Sequence, residues 1–190
     1  MDWLNAGWHN VIKVEPTRYT CGYCGSSTNM SSGYQSDQGG IYIVACGGCN
    51  RPTFFERGKQ TPRPRLGSDV AHLPEMLATL YLEARDCTQV GAFTACVLVC
   101  RKILMHVAVE QGAKPNQSFF EYVQYLADKN YVPPNGKGWV DHIRLKGNEA
   151  THEIVLMDET QAKELLSFTE MLLKFVYEFP ARLTPITPLN

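Results

Sequence analysis

Cys21-Gly-Tyr-Cys24 and Cys46-Gly-Gly-Cys49 stand 21 residues apart in a chain of 190 residues. Two residues between paired cysteines let both thiolates face one ion from a tight turn, and Gly22, Gly47 and Gly48 relieve the backbone crowding of such turns. Strand patterns flank the second pair, Gly40-Ile-Tyr-Ile-Val-Ala45 before it and Arg51-Pro-Thr-Phe-Phe55 after it. Strand, knuckle, strand is the plan of a zinc ribbon. The expectation is that Cys21, Cys24, Cys46 and Cys49 bind one structural Zn2+ and fold residues 1–60 into a small β unit. Four thiolates close a tetrahedral shell, which leaves no position for a substrate and makes the metal structural. A segment this small lacks an adequate core, so the metal supplies much of its folding energy. An iron–sulfur cluster and redox-active thiol pairs are the alternatives the spacing leaves open.

Composition is that of a soluble globular protein, with 44% hydrophobic and 19% charged residues. The net charge of −1 gives no chain-wide electrostatic case for nucleic-acid binding. The charge is uneven: residues 1–68 hold seven Lys/Arg and four Asp/Glu, whereas residues 69–190 hold eleven and fifteen. Met1–Lys13 carries Asp2, Asn5, His9 and Asn10 and does not read as a signal peptide. No stretch approaches the roughly 18 apolar residues of a membrane span. The expectation is a cytoplasmic protein with no membrane partner, where paired cysteines point to metal rather than disulfides.

Composition changes near residue 60. Arg57-Gly-Lys-Gln-Thr-Pro-Arg-Pro-Arg-Leu-Gly67 has two prolines, two glycines and four basic residues without an acid, and residues 61–70 read as an exposed basic linker. Residues 71–182 read as an antiparallel bundle of about five helices, followed by a tail over 183–190. The first helix spans Leu73–Val90, with Pro74 early and Leu77, Leu80, Tyr81 and Ala84 as its apolar stripe. The second, Gly91–Gln111, is apolar on nearly every side and reads as the central helix, ended by Gly112 and Pro115. The third starts at a Ser118 N-cap with Glu121 completing a capping box and runs to about Asn130. Pro133-Pro134-Asn135-Gly136 breaks the chain, and Trp139 to about Ile154 reads as a fourth, less regular helix. The fifth, Asp158–Phe179, places Leu165, Phe168, Leu172, Val176 and Phe179 along one side and ends at Pro180. The whole chain is therefore expected to be mainly α with a small β appendage. Cys87, Cys96 and Cys100 fall in helical patterns and read as inert core thiols.

Two further groups of residues bear on function. Tyr19, Tyr23, Tyr42, Phe54, Arg51 and Arg57 could form an aromatic and basic surface for single-stranded nucleic acid. Equally, the aromatics could cover the small sheet while the arginines keep it soluble. In the fourth helix, Arg144, Asn148 and His152 recur every four residues and share one face, with Lys146 nearby. Arg grips phosphate, Asn orients it, and His moves a proton near neutral pH. A solvated helix face or a buried network joining helices is the plainer account of the same residues.

Leu73-Pro-Glu, Leu80-Tyr-Leu-Glu-Ala84, Gly91-Ala-Phe-Thr-Ala, Arg101-Lys and above all His142-Ile-Arg-Leu-Lys-Gly-Asn-Glu-Ala-Thr-His152 resemble the domain of unknown function family numbered 4145, a branch of the HEPN superfamily of helical bundles. The resemblance runs from about Leu73 to Pro180. It implies a homodimer and a setting in prokaryotic defence, toxin–antitoxin or restriction systems. Many such proteins are metal-independent ribonucleases whose Arg and His, four to six residues apart, meet a second copy at the dimer interface. Carried onto this chain, Arg144, Asn148 and His152 would be catalytic, with His152 as general acid and base and Arg144 stabilising the phosphorane. Here seven residues separate Arg144 from His152, and Leu145 follows the Arg where the family motif has a polar residue. Two functions are thus expected. The first is a dimeric module that binds nucleic acid, through Arg51, Arg57 and Lys146, or binds a partner protein. The alternative is a metal-independent ribonuclease.

Overall fold

The computed structural model describes residues 8–36, 40–132 and 156–183. The chain divides into two compact units, Met1–Arg65 and Leu66–Asn190.

The first unit is a meander of five antiparallel strands in chain order: β1 (Trp8–Thr20), β2 (Ser27–Ser36), β3 (Ile41–Ala45), β4 (Pro52–Glu56) and β5 (Lys59–Thr61). In a meander, alternate turns fall at the same end of the sheet. The β1–β2 turn holds Cys21 and Cys24, and the β3–β4 turn holds Cys46 and Cys49. Topology therefore brings together two cysteine pairs far apart in sequence. Gly33 lets β2 and β3 close on each other, because a Cβ there would sit 2.4 Å from the Ile43 carbonyl oxygen. The core formed by the described side chains is small. Tyr19, Met30, Val44 and Phe55 are buried with Cys21 and Cys46, and the Tyr19 and Phe55 rings meet edge to face at 5.2 Å.

This sheet is larger than the sequence reading expected. Ser27–Ser36 is rich in Ser, Gly and Asn, which are poor strand formers, yet it pairs on both sides. The stretch read as an exposed linker also carries structure. Arg57 and Gly58, both with positive φ, form the two-residue turn between β4 and β5. Farther on, Leu66–Ala71 is fastened to the helices of the second unit. Arg85 donates to the Leu66 and Gly67 carbonyls at 3.1 Å each and pairs with Asp69. Glu170 accepts from the Ser68 N–H at 2.8 Å, and Glu178 accepts from the Ala71 N–H at 3.0 Å.

Among the described residues the second unit has four long helices: α1 (Glu75–Gln89), α2 (Phe93–Glu110), α3 (Phe119–Asp128) and α4 (Glu159–Leu173). The expected helix over Trp139 to Ile154 lies outside the described residues. As its apolar composition predicts, α2 is central and packs against α1, α3 and α4. Cys96, Cys100, Ile103, Leu104, Val107 and Ala108 of α2 are fully buried. The helix limits follow local chemistry. Ser118 caps α3 in a reciprocal capping box with Glu121, and Asp158 caps α4 in the same way with Gln161. At the end of α2, the Ala113 N–H reaches the Ala108 carbonyl and the Gly112 N–H reaches Val109, both at 2.9 Å, with Gly112 at φ 99°.

Pro180 does not end the last helix. The chain passes through a π-helical turn, Lys174–Glu178, into α5 (Phe179–Arg182). The wide turn accommodates a proline, which has no N–H to pair. It also rotates the residues beyond it by about one position, roughly 100°. Leu165, Phe168 and Leu172 consequently face the core as expected, whereas Phe179 is 40% exposed.

Candidate metal centre

The two cysteine turns are built alike. Cys21 N–H donates to the Ser26 carbonyl at 3.0 Å and Gly25 N–H to the Cys21 carbonyl at 2.9 Å. In the other turn, Cys46 N–H donates to Arg51 at 3.0 Å and Asn50 N–H to Cys46 at 2.8 Å. Gly25 (φ 71°) and Asn50 (φ 57°) hold the equivalent left-handed position, just after the second cysteine of each pair. Gly and Asn are the residues that adopt this conformation at least cost. A Gly or Asn directly after each Cys-x-x-Cys is therefore a usable sequence signal. The glycines singled out from the sequence, Gly22, Gly47 and Gly48, do not have positive φ.

Gly22 answers a different need. The backbone of Pro62 and Arg63 crosses it, and a Cβ there would lie 2.4 Å from the Pro62 carbonyl oxygen. The Gln60 side chain holds that crossing in place, donating to the Thr20 carbonyl at 2.8 Å and to Pro62 at 3.0 Å. Gly22→Ala must push this segment off the first turn. We expect it to lower the unfolding free energy of the first unit by about 1–3 kcal/mol in urea titrations.

The four sulfurs lie within 4.8 Å of one another. Across the two turns, Cys21 Sγ is 3.7 Å from Cys49 Sγ and Cys24 Sγ is 3.8 Å from Cys46 Sγ. An ion bonded to four sulfurs at about 2.3 Å sets tetrahedron edges of about 3.8 Å. A disulfide needs about 2.05 Å, so neither pair is bridged. A multi-iron cluster needs its thiolates spread farther apart than a single ion does. The residues fit one tetrahedral ion.

Backbone amides are already aimed at the sulfurs. The Tyr23 N–H points at Cys21 Sγ (3.4 Å) and the Gly48 N–H at Cys46 Sγ (3.3 Å). The Ser26 hydroxyl and N–H pull the Cys24 thiol down to about 6. The N–H groups of Cys49 and Gly48 likewise lower Cys46. The Arg51 N–H pulls Cys49 down, but desolvation and the three neighbouring sulfurs outweigh it and push that thiol up to about 11. Sulfurs packed this closely cannot all ionise until a cation is placed among them.

Of the proposed aromatic and basic surface, only part faces outward. Tyr19 is buried, and Tyr42 packs partly buried against the same core. Tyr23 is 37% exposed, and the Arg51 guanidinium sits over its ring at 5.2 Å. Arg57 is exposed at the β4–β5 turn. Arg144, Lys146, Asn148 and His152 lie outside the described residues. In the second unit, Cys96 and Cys100 are fully buried in α2, as inert core thiols would be. Sequence reasoning missed a groove of about 300 Å³ lined by Ser167, Glu170, Met171, Lys174, Phe175 and Phe179. Ser167, Glu170, Met171, Lys174 and Phe175 recur at the spacing of one helical face, and Phe179 joins them beyond the π-turn.

Fold and site thus define a two-part protein: a β-meander that carries a four-cysteine cluster, and a bundle of helices. A family model described as Domain of unknown function (DUF4145) matches residues 82–187, and the chain belongs to that family. The match lies within the helical unit and leaves the four cysteines outside it. Comparisons with curated proteins and with solved structures find no match. No helix among the described residues is long and apolar enough to cross a membrane.

Proposed function

We propose that the chain is a non-enzymatic binding module. Its first unit is a zinc ribbon that offers a contact surface, and its second is a HEPN-like bundle that dimerises, in a prokaryotic defence, toxin–antitoxin or restriction setting. The observation that carries this reading is the constellation of four sulfurs within 4.8 Å, with two cross-turn separations at the edge length of a zinc tetrathiolate. Zinc held by Cys21, Cys24, Cys46 and Cys49 would staple the two turns and has no free coordination position for chemistry. The direct test is metal analysis of the purified chain. One zinc per chain is expected, and metal-free folded protein would refute the reading.

The dimer draws support from an apolar face on the last helical segment. Phe175, Phe179 and Leu183 are 43%, 40% and 80% exposed, and the Phe175 and Phe179 rings meet edge to face at 5.3 Å. Aromatic side chains left half in water are typical anchors of protein interfaces. Phe179→Glu would place a charge in such a contact. We expect light scattering to show wild type as a dimer at micromolar concentration and the variant as a folded monomer. An unchanged dimer would move the interface elsewhere.

A further inference from the structure

We propose that the crest formed by the two cysteine turns binds single-stranded nucleic acid, with one base stacking at the Tyr23 and Arg51 pair. The proposal rests on reading the first unit as a metal-stapled binding module, and it names the partner's chemistry.

Three observations converge there. Tyr23 lies between Cys21 and Cys24, and Arg51 lies two residues after Cys49, so the pair spans both turns. Each side chain stands on backbone fixed by the hydrogen bonds that also shape the sulfur cluster. Little conformational freedom remains to be lost when a ligand docks. The second observation is the kind of surface presented. An exposed aromatic ring beside a guanidinium plane offers the two faces on which an unpaired base stacks, with a positive charge for the neighbouring phosphate.

The third is charge. Residues 1–65 hold seven Lys/Arg against four Asp/Glu. Arg18, Arg51 and Arg63 belong to the end of the sheet that carries the cysteine turns, whereas Arg57 and Lys59 flank the β4–β5 turn at the opposite end, beside Glu56. Against the two formal negative charges of a zinc tetrathiolate, residues 1–65 keep a surplus of one positive charge. Arg18 stands at the base of the first turn, where its Nε donates to Ser27 Oγ at 2.8 Å. A polyanion suits this surface, and the whole-chain charge of −1 hides it. The ring selects single strands, because a base inside a duplex has no free face to offer. The crest is also a pair of tight turns rather than a helix or ribbon that could enter a major groove.

The test is fluorescence anisotropy with labelled single strands of roughly 12 nucleotides, as RNA and as DNA, against the full zinc-loaded chain. A duplex of equal length and polyglutamate serve as competitors. We expect single strands to bind more tightly than the duplex, and binding to weaken with added salt. Tyr23→Ala and Arg51→Ala should each lose about tenfold in affinity, while Tyr23→Phe, which keeps the ring, stays near wild type. Zinc content and circular dichroism must match wild type in all three variants. Absence of single-strand binding, or alanine variants that bind like wild type, overturns the proposal. Equal competition by polyglutamate also overturns it, in favour of an acidic protein partner. One zinc per chain without strand binding would refute this inference and leave the ribbon standing. A chain without zinc would refute the ribbon itself.

Discussion

Cys46→Ser is expected to abolish stoichiometric zinc binding and to unfold the first unit while the helical unit stays folded. Among the described residues of that unit only six apolar side chains are buried together, and two are the cysteines Cys21 and Cys46. Among the described side chains, only Tyr19, Met30, Val44 and Phe55 join the two buried cysteines in the core beside the turns, so loss of the metal removes the main link between the two turns. Structural zinc typically contributes about 10–16 kcal/mol in comparable small sites, a large part of what such a unit has to hold it folded. The variant should lose hydrogen-exchange protection in β1 to β4 and keep it in α2 and α4. Cys96→Ala supplies the contrast, since Cys96 is buried in α2 and lies outside the four-sulfur cluster, so zinc content should not change. Protons compete with the ion for thiolates, so wild type should release zinc as pH falls and rebind it as pH rises.

The second large effect lies in the bundle. Phe168 of α4 has no exposed surface and is the largest fully buried side chain among the described residues. Phe168→Ala should lower the unfolding free energy of the helical unit by about 3–5 kcal/mol through lost burial and a residual cavity. Urea titration followed by helical circular dichroism measures this, with zinc content unchanged. Measured on protein dilute enough to be monomeric, Phe179→Ala, on the same helical segment but beyond the π-turn, should cost much less because that ring is already 40% exposed within one chain. Equal losses at the two positions in monomeric protein would contradict the rotation that the π-turn introduces.

How much of the fold is legible in the sequence depends on where each signal resides. The Cys-x-x-Cys pairs are local chemistry, legible with their spacing. So are the apolar α2, the Ser118–Glu121 capping box and the Gly112 stop, each set by residues within one turn of one another. β1 and β2 are not legible. Ser27-Thr-Asn-Met-Ser-Ser-Gly-Tyr-Gln-Ser36 has the composition of a loop and becomes a strand because neighbours pair with it on both sides. The basic stretch after Phe55 misleads for a related reason. The fastening of Leu66–Ala71 by Arg85, Glu170 and Glu178 depends on partners distant in sequence, while the Arg57-Gly58 turn closes the short β4–β5 hairpin locally.

The site divides in the same way. Four ligands can be named from spacing alone, whereas the meeting of Tyr23 with Arg51 requires the meander that puts both turns at one end of the sheet. Pro180 reads as a terminator by its missing N–H, yet the π-turn before it lets helical structure run on to Arg182. That turn carries Phe179 off the core-facing stripe of Leu165, Phe168 and Leu172.

The central claim is the tetrathiolate zinc site. X-ray absorption at the zinc edge of the purified full chain tests it most directly. The account predicts one zinc per chain with four sulfur neighbours at about 2.3 Å and no nitrogen or oxygen ligand. A metal-free chain, an iron cluster, or a zinc shell containing nitrogen or oxygen would contradict it.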